Sequence, residues 1–70
     1  MTDEECKQMG LRIYRLMKAK GMTQKELAGI TGLTEAAVSR YVNGHRWPRA
    51  TSLMLLKDAL GCTWEELLDG

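Results

Sequence analysis

The sequence predicts an all-α fold of five short helices. Threonine and glycine recur in pairs that bracket five segments; each threonine suits a helix N-cap and each glycine suits the residue just past a helix end. Apolar and polar residues alternate little and few β-branched residues stand in runs, so no strand is predicted. The bracketing pairs are Thr2–Gly21, Thr23–Gly32, Thr34–Gly44, Thr51–Gly61 and Thr63–Gly70.

Capping-box spacing supports three of the helix starts. In such a box the threonine hydroxyl accepts from the N3 amide, and a glutamate at N3 accepts from the N-cap amide. The boxes pair Thr2 with Glu5, Thr23 with Glu26, and Thr63 with Glu66. The predicted helices span residues 3–20, 24–31, 35–43, 50–60 and 64–69.

Two starts lack a box. Ala37 occupies N3 after Thr34, so only the threonine hydroxyl can cap the third helix. The start of the fourth helix is open, because Arg49 or Ala50 could already be helical ahead of Thr51.

The first predicted helix carries an apolar stripe at helical spacing, which predicts its core face. The stripe consists of Met9, Ile13 and Leu16, and Met17 or Gly10 extends it. Leu11 and Tyr14 lie off this stripe. We expect them to be partly exposed or to form part of an oligomer surface.

The second and third predicted helices form a closely packed pair. Ala28 stands where the two backbones must approach, and Gly32 supplies the positive φ of the turn between them. We expect Leu27, Val38 and Tyr41 to bury the inner faces. The free face of the third helix is then Glu35, Ala36, Ser39 and Arg40.

The segment after the third helix is a basic loop with one aromatic residue. Gly44 ends the helix, and Pro48 disfavours a helical conformation at Trp47, which we expect to pack over helix ends. The fourth helix has an apolar stripe at Leu53, Leu56 and Leu60, and Leu67 with Leu68 anchors the fifth.

Length and composition indicate one ordinary globular domain over residues 1–70, with 44% hydrophobic and 27% charged residues. No apolar run is long enough for a signal peptide or a membrane span, so we expect a cytoplasmic protein. In that compartment Cys6 and Cys62 are expected to be free thiols, with a Cys6–Cys62 disulfide as the less favoured alternative.

Charge is strongly divided along the chain despite the formal net charge of +1. All ten basic residues lie between Lys7 and Lys57, where only Glu26 and Glu35 oppose them, so this stretch carries +8. Seven acidic residues lie at the two ends. A basic middle suits a polyanionic partner, although the acidic residues also favour the helix N-termini near them.

Nothing in the sequence indicates an enzyme. The chain has one histidine, no paired carboxylates in a plausible pocket, no nucleophile with a base and no phosphate-cradling glycine loop. The cysteines and His45 lack metal-ligand spacing. We expect no cofactor, no metal, no membrane partner and no small-molecule substrate.

From Met9 to Leu68 the chain resembles the lambda-repressor-like, Cro/Xre-type helix-turn-helix domains of phage and bacterial regulators. The motifs are TQxxLA at 23–28, GLT at 32–34, VSR at 38–40, NGxRxP at 43–48, and ALG with EELL near the end. Each motif alone is weak, but their combination is specific. The resemblance implies a five-helix bundle whose third helix enters the major groove of DNA.

The resemblance also implies which residues touch DNA. Residues facing base edges would be Thr34, Glu35, Ala36, Ser39 and Arg40, and residues holding phosphates would be Gln24, Asn43 and Arg46. Some have an alternative role: Thr34 caps its helix, Glu35 favours the helix dipole, and Arg40 is a solvated charge. His45, which is not in this set, is expected to be a plain loop residue.

The sequence departs from the family at two places. Many members pair an arginine late in helix one with a glutamate in the third helix, where this chain has Met17 and Val42. Because a lone buried charge is costly, loss of both charges together predicts that Met17 and Val42 touch. Lys57 replaces a small apolar residue, and we expect its stem to pack while its ammonium reaches water.

Two functions follow as hypotheses. The first is a sequence-specific regulator of phage or prophage type that occupies an operator in double-stranded DNA, acting as a homodimer on a palindromic site. Candidate dimer residues are the off-stripe apolars Leu11, Tyr14, Ile30, Met54, Leu55, Trp64 and Leu68. The alternative is a protein-interaction module, antitoxin-like or regulatory, that keeps the fold without reading DNA.

Overall fold

The computed structural model describes residues 2–69, and these form the five predicted helices with no strand among them. The helices are α1 (Asp3–Ala19), α2 (Gln24–Thr31), α3 (Glu35–Val42), α4 (Ala50–Leu60) and α5 (Trp64–Leu68). All predicted starts are confirmed. Three predicted ends are one residue too long, and in α3 the difference arises because Asn43 is the C-cap.

The three capping boxes form as predicted. In α2, the Glu26 amide donates to the Thr23 hydroxyl at 3.1 Å, and the Thr23 amide donates to Glu26 Oε1 at 3.0 Å. The α1 and α5 boxes have the same pattern. In contrast, α4 begins after Arg49, whose side chain makes no capping bond, so Thr51 is inside the helix and does not start it.

The turn between α2 and α3 depends on Gly32, whose φ of +77° is left-handed. Its amide donates to the Ala28 carbonyl at 2.9 Å, which closes α2 with a single αL-type bond. The Thr31 hydroxyl donates to the Leu27 carbonyl at 2.8 Å and accepts from the Leu33 amide at 3.2 Å. This buried hydroxyl therefore links α2 to the turn that leads into α3.

α1 packs mainly against α3 and α5 and less against α4, and α2 packs against α3 and α4. The predicted inner residues Leu27, Ala28, Val38 and Tyr41 are buried. The other buried apolar side chains of this cluster are Met9, Ile13, Met17, Leu56, Leu60, Cys62 and Leu67. Trp47 is half-buried against the cluster, as predicted for a residue that covers helix ends.

The predictions of free cysteines and of a packed Lys57 stem are confirmed, whereas access of the Lys57 ammonium to water stays a prediction. Cys6 and Cys62 are both free thiols. Burial raises the pKa of the Cys62 thiol, and the nearby Glu66 carboxylate raises it further. Lys57 is half-buried, with its ammonium 5.6 Å from the centre of the Trp64 ring. Gly70, predicted to end the last segment, lies outside the described residues.

Seven large apolar side chains among residues 2–69 are exposed, and they are the ones predicted to lie off the core stripes. They are Leu11, Tyr14, Ile30, Met54, Leu55, Trp64 and Leu68. The prediction that Leu68 also anchors α5 is wrong, because Leu68 is exposed and Leu67 is the residue buried in the core. No helix formed by the described residues is long and apolar enough to cross a membrane.

Candidate nucleic-acid interface

The outer side of α3 presents most of the predicted base-facing residues to solvent. Val38 and Tyr41 turn inward and are 0% and 5% exposed. The opposite side of α3 faces solvent, and Ser39 on that side is half-buried. The exposed residues there are Thr34, Glu35, Ala36 and Arg40.

Thr34 has a structural role in the start of α3. Its hydroxyl accepts from the Ala37 amide at 3.0 Å, without a returning carboxylate. Glu35 follows in the first turn, where a negative charge suits the helix N-terminus. Thr34 and Glu35 both remain exposed on the outer side of α3 in these roles.

The Arg40 guanidinium forms no ion pair with the described residues. No carboxylate oxygen lies within 4.0 Å of its guanidinium among residues 2–69, and the same holds for the exposed Arg46. Exposed cations without an internal partner are available to a polyanion.

The end of α3 connects the two predicted groups of DNA contacts. The Asn43 side-chain amide donates to the Ser39 hydroxyl at 3.1 Å. Gly44 follows with φ +75°, its amide donating to the Tyr41 carbonyl and the His45 amide to the Arg40 carbonyl. This pair of bonds is a Schellman ending, which turns the chain sharply and sets Arg46 in the loop beyond.

Gln24 lies at the other end of the pair, as the first residue of α2. It is half-buried, and its side chain makes no hydrogen bond to any residue in 2–69. The Thr23 cap fixes the start of α2, so the position of Gln24 is set by the helix terminus.

Two contacts hold α3 on its buried side, and neither was predicted from the sequence. A Cβ built on Gly10 would clash with the Val42 carbonyl oxygen and lie 2.6 Å from that of Tyr41, so α1 and α3 touch backbone to backbone. The Tyr41 hydroxyl donates to the buried Ser52 hydroxyl of α4 at 3.3 Å. A glycine within an apolar stripe, and a serine within another, were the available signals.

The predicted contact between Met17 and Val42 stays a prediction. Met17 is 2% exposed, and Val42 is half-buried against the same core cluster. Met17 therefore meets one condition of the prediction, that the side chains be withdrawn from water, and Val42 meets it in part.

The start of α1 and the end of α5 lie together, next to Trp47 of the loop after α3. A groove between the start of α1 and the end of α5 is lined by Glu4, Glu5 and Leu68, together with Arg12. The Arg12 side chain donates from Nε to the Leu67 carbonyl at 2.7 Å, which ties α5 to α1. Hydrogen bonds from Thr2 lower the pKa of the Glu5 carboxyl in this acidic region.

Comparisons with known proteins agree with this arrangement. A family model described as Helix-turn-helix matches residues 11–67. Over 62 residues the chain is 34% identical to y4dJ of Sinorhizobium fredii, an uncharacterized HTH-type transcriptional regulator, covering 89% of this chain and 80% of that protein.

The fold is also similar to the crystal structure of the restriction-modification controller protein C.AhdI from Aeromonas hydrophila. That comparison has a TM-score of 0.87 and 30% sequence identity, and it covers 91% of this chain and 97% of the other. The chain therefore belongs to the Cro/Xre-type helix-turn-helix family, whose members are DNA-binding transcriptional regulators and not a class of enzymes.

Proposed function

We propose that this protein is a sequence-specific transcriptional regulator that occupies an operator in double-stranded DNA, in the manner of a phage-type repressor. The observation that carries the proposal is the outer side of α3, which is exposed and whose charged side chains form no ion pair with any of residues 2–69. Genomic DNA as the partner would place the protein in the cytoplasm.

In this proposal the outer side of α3 lies in the major groove and reads bases. Arg40 pairs with O6 and N7 of a guanine, Ala36 meets a thymine methyl, and Glu35 accepts from N4 of a cytosine. Each good pair discriminates against a wrong base by about 1–3 kcal/mol. Thr34 and Ser39 provide hydroxyls at the two ends of this surface.

Phosphate contacts set the register of α3 in the groove. Gln24 holds one strand from the start of α2, and Asn43 with Arg46 holds the backbone beyond the end of α3. The hydrogen bond between Asn43 and Ser39 supports this role for Asn43, because it joins a side chain proposed to hold a phosphate to the surface proposed to read bases.

We further propose that the protein acts as a homodimer on a palindromic operator. One α3 reads only a few base pairs, and a dimer placing two such helices about 34–36 Å apart reads two half-sites. The surface shared by α4 and α5 is the favoured interface, because the Lys57 ammonium lies over the exposed Trp64 ring and joins the two helices. Met54 and Leu68 extend this surface by one turn on either side.

Two leucines of similar exposure test the dimer surface. Leu68 on α5 is 39% exposed and Leu11 on α1 is 44% exposed. We expect Leu68→Gln to weaken dimerisation by about tenfold or more through loss of buried apolar area, and Leu11→Gln to leave it unchanged. Sedimentation velocity over a concentration series measures both, and equal effects would exclude this surface.

The function itself is tested by selecting bound duplexes from a random DNA pool near physiological salt and sequencing them. An inverted repeat with half-sites about one helical turn apart is the expected result. Arg40→Gln should relax preference at one base position, whereas Arg46→Gln should weaken binding evenly across sequences. Binding without any enriched sequence, lost as salt rises, would contradict the proposal.

Two other roles share this fold. Similarity to C.AhdI favours control of restriction-modification genes as a second setting for the same operator occupancy. A protein-interaction module is the alternative of a different class, supported by the exposed apolar side chains. In that case partner binding would survive Arg40→Gln and Arg46→Gln.

A further inference from the structure

Lys7 of α1 lies directly against the loop that follows α3. A Cβ built on Gly44 would lie 2.8 Å from Lys7 Cα and 2.9 Å from Lys7 Cγ, so the lysine stem passes over this glycine. One turn further along α1, Gly10 touches the last carbonyls of α3. Backbone packing therefore holds Lys7 against Gly44, which lies between Asn43 and Arg46 in the chain, at the end of α3.

The Lys7 ammonium has no ion-pair partner among the described residues. The residue is exposed, and among residues 2–69 its ammonium has no carboxylate oxygen within 4.0 Å and no hydrogen-bond acceptor. Asp3 and Glu4 lie one turn earlier on α1 and are not paired with it. An ammonium on a flexible stem can meet a phosphate oxygen as a point charge.

We propose that Lys7 is a further phosphate contact, which extends the DNA interface from the loop after α3 onto α1. This inference rests on the proposed function. Neutralising a phosphate releases a condensed counterion, so the contact adds affinity that falls with salt and is independent of base sequence. Lys7 would thus position α3 in the groove together with Asn43 and Arg46.

A purely structural role for Lys7 has a matched control within the same chain. A cation beside the C-terminus of α3 also favours the negative end of the helix dipole. Lys20 has the corresponding place beside α4, because its Nζ lies 3.0 Å from a Cβ built on Gly61, the left-handed residue that ends α4. Lys20 lies near the other end of α1, and it meets Gly61 with the end of its side chain, whereas Lys7 meets Gly44 with its backbone and stem. The two lysines therefore share a place beside a glycine that ends a helix, and they differ in the proposed phosphate contact.

The test uses Lys7→Gln, Lys7→Arg and Lys20→Gln on the selected operator duplex, with affinity followed by fluorescence anisotropy between about 0.05 and 0.2 M salt. We expect Lys7→Gln to flatten the slope of log affinity against log salt by about 0.9 per bound protomer, with a roughly fivefold to tenfold loss near 0.1 M. Lys7→Arg should retain both, and Lys20→Gln should leave the slope unchanged. Glutamine and lysine have similar helix propensities, so melting temperatures should stay close.

The outcomes separate this inference from the proposed function. Equal flattening by Lys20→Gln would show a general charge effect and overturn the contact. An unchanged slope in Lys7→Gln, together with a flattened one in Arg46→Gln, would overturn Lys7 alone. If no duplex is enriched and Arg46→Gln has no effect, the proposed function fails and the Lys7 contact fails with it.

Discussion

α2 and α3 are each eight residues long and pack against one another, but they are held in different ways. α2 has its own supports: the Thr23–Glu26 box at its start and the buried Thr31 hydroxyl in its last turn. α3 has a Thr34 cap without a returning carboxylate at its start and the backbone bonds of Gly44 and His45 at its end. Its position comes from α1 beneath its end and from α4 through the Tyr41 hydroxyl.

Because of this difference, the residues that stabilise α3 are not the residues proposed to recognise DNA. Because α3 is held from its inner side and by other helices, its outer side makes no contribution to the core and is free to vary with the bound sequence. Local supports, as in α2, are worth about 0.5–2 kcal/mol for each cap. Support from other helices should therefore give the larger mutational effects.

The largest effect is expected from a charge placed in the core at Met17. Met17→Arg should lower the free energy of unfolding by about 3–5 kcal/mol, because it places an unpaired charge where the side chain is 2% exposed. Adding Val42→Glu should restore a large part if the two side chains touch. Urea denaturation of both single variants and the double variant measures the coupling, and strictly additive effects would show that Met17 and Val42 are apart.

Gly10 and Gly29 give opposite expectations for the same substitution. Gly10→Ala should destabilise by about 1–3 kcal/mol, since the methyl would meet the α3 carbonyls and push the helices apart. A Cβ built on Gly29 in α2 meets nothing within 4 Å, so Gly29→Ala should stabilise by about 0.5–1 kcal/mol. Thermal unfolding compares them, and a neutral Gly10→Ala would mean that α3 is not held at this crossing.

The hydroxyl link from α3 to α4 should have a moderate effect. Tyr41→Phe removes the donor to Ser52 and should cost about 0.5–1.5 kcal/mol. Tyr14→Phe is the matched control, because Tyr14 is 44% exposed and makes no such bond to any described residue. Equal unfolding free energies for the two variants would show that the Tyr41–Ser52 hydrogen bond does not stabilise α3.

The smallest effect is expected from a local cap like that of α2, tested by pH at the start of α1. Hydrogen bonds from Thr2 lower the pKa of Glu5 in the folded state, so its contribution is complete above the unfolded pKa near 4.5 and is lost as pH falls through the folded pKa. Glu5→Gln should lose less stability than the parent protein over that acidic window. Melting temperatures between neutral and acidic pH check this, and identical curves would contradict it.

The sequence by itself determined the five helices, their starts, the inner residues of α2 and α3, and the family. These features depend on short-range chemistry, in which a threonine finds an amide three residues away and a glycine adopts a left-handed φ within its own turn. Apolar spacing then identifies the buried sides. The start of α4 was less certain because Arg49 provides no side-chain cap.

Only the tertiary structure decided what lies against α3. Gly10 was predicted merely to extend a stripe, and its role appears only when α1 crosses the end of α3. Lys7 looked like one of ten dispersed cations until the same crossing placed it over Gly44. Such contacts join residues more than thirty positions apart, so they depend on helix-crossing geometry and close backbone approach, which spacing along a single helix does not encode.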